Sequence, residues 1–236
     1  MIRALLFDLG DTLVGYYRRH EFPSILNACL GQTEAYLRKR NLPVPPAQEI
    51  ERRAQSENFE ARNLRVRPLE QRLKRIFSLR LPSARKYLMQ EMCRAFLAPI
   101  FSMATLYPDT LPALASLKKN GLKIGILSNT PWGSPADLWH GEVARHGLCA
   151  FCDKVIFCRD VGWRKPARSI FRHALQRLAC LPESCVFVGD NLKWDIEGGR
   201  RVGMVPVLID RSDSVEPVDA PRITSLLELE SLLKTL

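Results

Sequence analysis

The sequence predicts an α/β fold: a doubly wound parallel sheet interrupted by an all-helical insertion. Three observations predict it. Short apolar runs alternate with helical stretches over most of the chain. One long segment, residues 16–103, contains no such run. The polar motifs that suggest chemistry each stand just beyond an apolar run, where a parallel sheet places its ligand crevice.

The elements follow in chain order. ALLF (4–7) is short and wholly apolar, the pattern of a strand covered on both faces. Residues 16–103 then read as helices. Leu69, Leu73, Ile76 and Phe77 recur at helical spacing, as do Leu88, Met92 and Phe96. NLPVPPAQE (41–49) is a proline-rich break between helices. The strand–helix alternation resumes with PDTLPALASLKKNG, which has Pro108 early and Gly121 late, as a helix start and stop require. Four more strands are predicted: LKIGILS (122–128), KVIFC (154–158), CVFVG (185–189) and MVPVLI (204–209). Between them ADLWHGEVARHG, ARSIFRHALQRLA and DIEGGRRVG supply helices. Residues 1–15 and 104–236 therefore form the α/β core, and 16–103 a separate helical unit. No internal repeat or low-complexity tract is visible.

Composition narrows the class. Among 236 residues 46% are hydrophobic, yet no window of about 18 apolar residues exists to span a bilayer. The first residues lack a signal-peptide layout, so a cytoplasmic protein is expected. Seven cysteines cannot all pair internally, and reduced thiols filling a core are the expected state. Cys149 and Cys152 have CxxC spacing with His146 nearby, but Cys180 and Cys185 do not form the matching second pair for zinc. The net charge of +10 is concentrated: residues 38–94 hold 15 Lys and Arg against 6 Asp and Glu. That basicity suits either solvated helix faces or an anion-facing surface. No nucleic-acid motif accompanies it, and no aromatic residues interleave the arginines for stacking, so nucleic acid is not an expected partner.

The strand ends carry the chemistry. Asp8 follows the first strand, Ser128-Asn129-Thr130 the second, Lys165 the third, and Asp190 with Asp195 the fourth. Carboxylates gathered in one crevice repel one another and repel a phosphate dianion. A divalent cation resolves both conflicts, and an all-oxygen site suits magnesium. Lys165 neutralises phosphate oxygens as a point charge. Ser128 and Asn129 offer hydrogen bonds, and the turn at Leu9–Gly10–Asp11 offers backbone N–H groups. Asp8 then attacks phosphorus and forms an acyl phosphate that water hydrolyses. Trp132, just past the second motif, is a candidate for substrate contact or for packing; Trp163 is another, and Tyr16 and Tyr17 read as structural.

FDLGDTL, ILSNT, the lysine of RKPARSIF and VGDNLKWD, in that order, resemble the four motifs of the haloacid dehalogenase-like superfamily. The insertion resembles the helical cap domain of that superfamily. The resemblance implies a magnesium-dependent phosphatase acting on small phosphorylated metabolites, with oligomeric state open. It makes Asp8 nucleophile and metal ligand, with Gly10 lending its carbonyl and Asp190 completing the protein ligands. Asp195 supports the metal site or Lys165, while Ser128 and Lys165 hold the phosphoryl group. The sequence departs from the family at Gly10, where an acid usually protonates the leaving oxygen. Asp11 stands one place on and is expected to project elsewhere. Two rival readings share this pattern. A haloacid dehalogenase uses the same aspartate, and its halide leaves without a proton. A non-catalytic member would bind a polyanion or a protein through its basic cap.

Overall fold

The apolar runs pair as one six-stranded sheet in a computed structural model, which describes residues 1–79, 86–213, 215 and 218–236. The strands are β1 (Ala4–Phe7), β2 (Val14–Gly15), β3 (Thr105–Leu106), β4 (Lys123–Ser128), β5 (Lys154–Phe157), β6 (Cys185–Gly189), β7 (Val205–Ile209) and β8 (Arg222–Ile223). The sheet order is β5-β4-β1-β6-β7-β8, and every pairing in it is parallel. The chain first builds outward from β1 through β4 to β5. It then crosses back to the other side of β1 with β6. That reversal is a topological switch point, and the crevice beyond it opens at the carboxyl ends of β1, β4 and β6.

Ten helices accompany the strands among the described residues. Those of the insertion are α1 (Phe22–Lys39), α2 (Ala47–Glu57), α3 (Leu69–Ile76) and α4 (Lys86–Ser102). The core carries α5 (Thr110–Lys119), α6 (Ala136–Arg145), α7 (Cys158–Val161), α8 (Arg168–Leu178), α9 (Glu197–Arg200) and α10 (Leu229–Leu232). Alternate residues of β1 enter different apolar layers. Leu5 and Phe7 pack with Leu114 of α5 and Trp139 of α6; Ala4 and Leu6 pack with Ile170 and Phe171 of α8. Both faces of the sheet are thus covered, which is why the strands are apolar throughout rather than alternating. Helix α8 buries Ile170, Phe171, Ala174, Leu175 and Leu178, a stripe at the 3.6-residue period.

Two features were not anticipated. Strands β2 and β3 form a small antiparallel pair, Val14 with Leu106 and Gly15 with Thr105, at the point where the chain leaves and re-enters the core. Strand β8 extends the sheet beyond β7. Both are two residues long and carry no periodic signal.

The insertion is helical as expected, with α1 packed along α4. Its interior is not purely apolar. Arg72 is fully buried and donates to the carbonyl of Glu57 (2.6 Å) and to Glu60 Oε1 (2.9 Å). Glu57 also receives Arg67 and Arg75. Part of the basic surplus is therefore spent inside the insertion rather than displayed on its surface. The insertion is also stitched to the core. Val66 N–H donates to the carbonyl of Gly162 (3.1 Å), and Arg164 N–H to that of Leu64 (2.9 Å). Gly133 lies so close that a Cβ there would stand 2.2 Å from the Arg67 carbonyl oxygen, and its φ of +63° also favours glycine.

The seven cysteines are free, and Cys29, Cys93, Cys158 and Cys185 are buried. Among the described residues the one His/Cys/Asp/Glu group spaced for a metal is Asp8, Asp190 and Asp195, so Cys149 and Cys152 do not gather a zinc site. No helix among the described residues is long and apolar enough to cross a membrane.

Candidate active site

Asp8 continues β1 by one residue, its N–H donating to the carbonyl of Val188 (2.9 Å). The ladder therefore fixes the backbone from which the carboxylate projects. Asp8 Oδ1 accepts the N–H of Leu9 (2.8 Å) and lies 2.8 Å from Lys165 Nζ. Lys165 is wholly buried and also donates to Asp195 Oδ1 (2.7 Å). Burial opposes its charge, but Asp195 and Asp8 outweigh it and hold the ammonium above its ordinary pKa.

Asp195 reaches Lys165 because the chain after β6 folds back in a π-helical turn, Leu192–Ile196. Asn191 caps that turn, accepting from the N–H groups of Lys193 and Trp194. Gly189 permits the approach: a Cβ there would lie 2.4 Å from the Asp195 carboxyl carbon. The second oxygen of Asp195 accepts the N–H of Asn191 (3.0 Å). Both its oxygens are thus engaged, and Asp195 faces Lys165 more than the open crevice. Burial pushes its carboxyl up to about 6, with Lys165 pulling against that and Asp8 adding to it.

Asp190 is different. It lies on the crevice wall, and burial followed by Asp195, Asp8 and Asp11 pushes its pKa well above its ordinary value. Lys165 opposes that shift without cancelling it. Four carboxylates share one buried ammonium here, so the site carries excess negative charge. Ligand oxygens of Asp8, Asp190 and Asp195 lie within 4.8 Å of one another. Such hard oxygen donors fit a divalent cation such as magnesium.

The other expected residues gather at the same mouth. Ser128 ends β4 on the crevice wall. Asn129 lines it too, but its side-chain amide is engaged by Lys165: Lys165 N–H donates to Asn129 Oδ1 (2.9 Å), and Asn129 Nδ2 to the Lys165 carbonyl (3.3 Å). It braces the lysine segment. Trp132 borders the crevice yet is buried, stacks on Phe96 of α4 (centroids 5.7 Å apart) and donates from Nε1 to Asn58. It anchors the insertion to the core as well as walling the site. Trp163 is covered by the guanidinium of Arg65 at 3.9 Å. Asp11, expected to project elsewhere, lies on the crevice wall. It adopts φ +56°, and Tyr16 N–H stabilises its ionised form, while burial and Asp8 push it up to about 6. Gly10 has no such special φ, and a Cβ there would meet only Tyr16 Cδ2, at an ordinary 3.7 Å.

Sequence reasoning missed part of the wall. Tyr17, Phe22, Phe59 and Trp194 border the same cavity of about 600 Å³, as do Glu60 and Arg164. Only Arg164 and Trp194 had a signal, standing beside the third and fourth motifs.

A carboxylate at the switch point of a parallel sheet, with a buried lysine 2.8 Å from it, is the arrangement that the comparisons with known proteins bear on. The chain belongs to the haloacid dehalogenase-like hydrolase family, whose description matches residues 2–203. It is 32% identical to a glyceraldehyde 3-phosphate phosphatase of Methanopyrus kandleri, over 89% of this chain and 85% of the relative. It is 34% identical to a phosphoserine phosphatase of Thermus thermophilus, over 49% of this chain and 45% of the relative. Among solved structures, an HAD phosphatase from Thermococcus onnurineus superposes with a TM-score of 0.68 at 28% identity, covering 98% of both chains. A 2-haloacid dehalogenase from Pseudomonas syringae pv. Tomato DC3000 reaches 0.73 at 22% identity, covering 100% of this chain and 99% of its own, a likeness of fold.

Proposed function

We propose that the protein is a magnesium-dependent phosphomonoesterase of the cytoplasm that works through an aspartyl phosphate on Asp8. The observation that carries this reading is the gathering of Asp8, Asp190 and Asp195, whose ligand oxygens lie within 4.8 Å of one another beside the Asp8–Lys165 pair. Dehalogenation needs no such acidic pocket. The phosphatase relatives support the same choice.

Asp8 attacks phosphorus through a carboxylate oxygen, and the bond to the ester oxygen breaks as the acyl phosphate forms. Water then displaces Asp8 and releases phosphate. Lys165 holds Asp8 in one orientation and balances phosphoryl charge, Asp195 and Asn129 position Lys165, and Ser128 bonds a phosphoryl oxygen. Asp8, the carbonyl of Gly10 and Asp190 would hold magnesium, which would supply positive charge against the negative charge that builds on the phosphoryl oxygens. Residues 16–103 act as a cap over the crevice. With glycine at position 10, no side chain there protonates the leaving oxygen, so esters with weakly basic leaving groups react fastest.

The test is a screen of phosphorylated metabolites, glyceraldehyde 3-phosphate among them, with and without magnesium. Phosphate release that needs magnesium and Asp8 supports the reading. Release that continues unchanged in excess chelator overturns it.

A further inference from the structure

Four guanidiniums near the cavity share two carboxylates. Glu57 pairs with Arg67 and Arg75, and Glu60 with Arg72 (2.9 Å) and, at 3.7 Å, with Arg164. Positive charge is therefore left over in this cluster. Arg75 is exposed, and water disperses its share. Arg72 is fully buried, with Glu60 and the carbonyl of Glu57 as partners. Burial works against its charge, Glu60 supports it, and Arg67 and Arg164 work against it again. Arg164 is the member of the cluster that borders the cavity, and it is only 9% exposed. Its Nη1 donates to the carbonyl of Thr130 (3.2 Å), and its Nη2 has no partner among the described residues. A guanidinium so buried and so loosely balanced has much to gain from a carboxylate of its own.

The uncharged polar groups on this side offer donors. Asn58 Oδ1 accepts from Trp132, and Asn191 Oδ1 accepts from the N–H groups of Lys193 and Trp194. Each amide therefore keeps its NH2 group. The hydroxyl of Tyr17 and the indole N–H of Trp194 have no hydrogen-bond partner among the described residues. All four residues line the cavity. The carboxylates of the opposite wall are answered by other cations: Lys165 acts on Asp190, and Arg211 on Asp11. Arg164 also directly precedes Lys165, so the two cations are rooted about 3.8 Å apart along the backbone. One small molecule can meet both.

We infer that Arg164 binds a second anionic group of the substrate, a carboxylate, so that the substrate class is a phosphate monoester of a small hydroxy acid. The phosphoryl group lies at Asp8 and Lys165, and the carboxylate lies at the planar guanidinium, whose N–H groups match its two oxygens. The inference rests on the phosphatase reading of the same crevice. It is separate from the effect of Gly10, which selects leaving groups by basicity and not by charge. The cavity, about 600 Å³, is ample for both groups.

The decisive comparison is between 3-phosphoglycerate and glycerol 3-phosphate, with magnesium present. Both release a primary alcohol, and they differ in a carboxylate against a hydroxymethyl group. 3-Phosphoglycerate is expected to have kcat/KM higher by about 10–100-fold, the worth of one charge-assisted contact. Arg164→Met should bring that ratio close to one, mainly by raising KM for 3-phosphoglycerate, and Arg164→Lys should keep part of it. A merely structural role would lower both esters alike and keep the ratio. Where Arg164→Met does not fold, calorimetry on the wild type decides: 3-phosphonopropionate should bind more tightly than propylphosphonate by a similar factor. Equal kcat/KM for the two esters, or equal binding of the two phosphonates, overturns the carboxylate assignment and leaves the phosphatase standing. So does a ratio that Arg164→Met and Arg164→Lys both leave unchanged. Absence of phosphate release from every ester tested, including p-nitrophenyl phosphate, overturns the phosphatase reading and the inference with it.

Discussion

The floor and the roof of the crevice are built on opposite principles. On the floor, charged side chains come from the ends of β1 and β6 and from the loop after α7, and the ammonium among them has fixed partners. Lys165 touches both Asp8 and Asp195, and Asn129 braces its backbone. On the roof, the insertion supplies Tyr17, Phe22 and Phe59, and part of its charge is paired internally, as Arg72 with Glu60 shows. The floor suits a reaction that demands fixed charges. The roof offers area and shape, which under the proposed function would act on substrate binding rather than on the chemical steps. A change on the floor should therefore abolish turnover, and a change on the roof should redistribute it.

The largest effect should come from Asp8→Asn. A neutral amide cannot form the acyl phosphate, and turnover should fall by at least about 10⁴-fold while the far-ultraviolet circular dichroism is retained. If Asp11→Asn is the inactive variant instead, the nucleophile has been misplaced.

Next is Asp190→Asn. Magnesium at about 100 times its dissociation constant should stabilise the wild type by about 2.7 kcal/mol. That appears as a rise in Tm on adding the metal, a readout that needs no substrate. The variant should lose most of the rise, because the charge excess that attracts the cation is reduced. An undiminished rise would place the metal elsewhere.

Gly10→Asp tests the boundary between floor and roof. The backbone there has room for a side chain, the nearest atom being 3.7 Å from the added Cβ. A restored acid should speed alkyl phosphates by up to about 10²-fold and aryl phosphates much less. No gain on either class would show that the proton already comes from another group.

A roof charge should affect stability before rate. Arg72→Met removes a fully buried guanidinium from Glu60 and the Glu57 carbonyl. A loss of about 2–3 kcal/mol is expected in urea unfolding, because Glu60 and a buried carbonyl are left without their partner. The smallest effect belongs to the exposed Arg62. Arg62→Glu should change kcat/KM by less than about twofold at 0.15 M salt, where screening reaches about 8 Å. A steeper response would make the basic face a steering surface. Arg67 is unsuited to that test, since it is bonded to Glu57 and to the carbonyls of Glu57 and Phe59.

Much of this was legible in the chain. The runs ALLF, KIGILS, KVIF, CVFVG and VPVLI are strands, and Asp8, Ser128, Lys165 and Asp190 do converge at their ends. Apolar periodicity is a local signal, and parallel pairing sends every strand end the same way, so the floor follows from spacing alone. The insertion was recognised by the strands it lacks, and its helices by their stripes.

Tertiary structure alone decided the rest. Asp195 turns to Lys165 because Gly189 clears its path and Asn191 caps the turn that carries it. Asn129 braces rather than stands free because Lys165 N–H lies within its reach, 36 residues on in the chain. Trp132 serves two neighbours because α4 brings Phe96 against it. Tyr17, Phe22 and Phe59 wall the cavity in a fold where Val66 and Leu64 stitch the insertion to the loop before Lys165. Each of these depends on contacts between segments far apart in sequence, and side-chain direction across such contacts is set by packing, which no local pattern encodes.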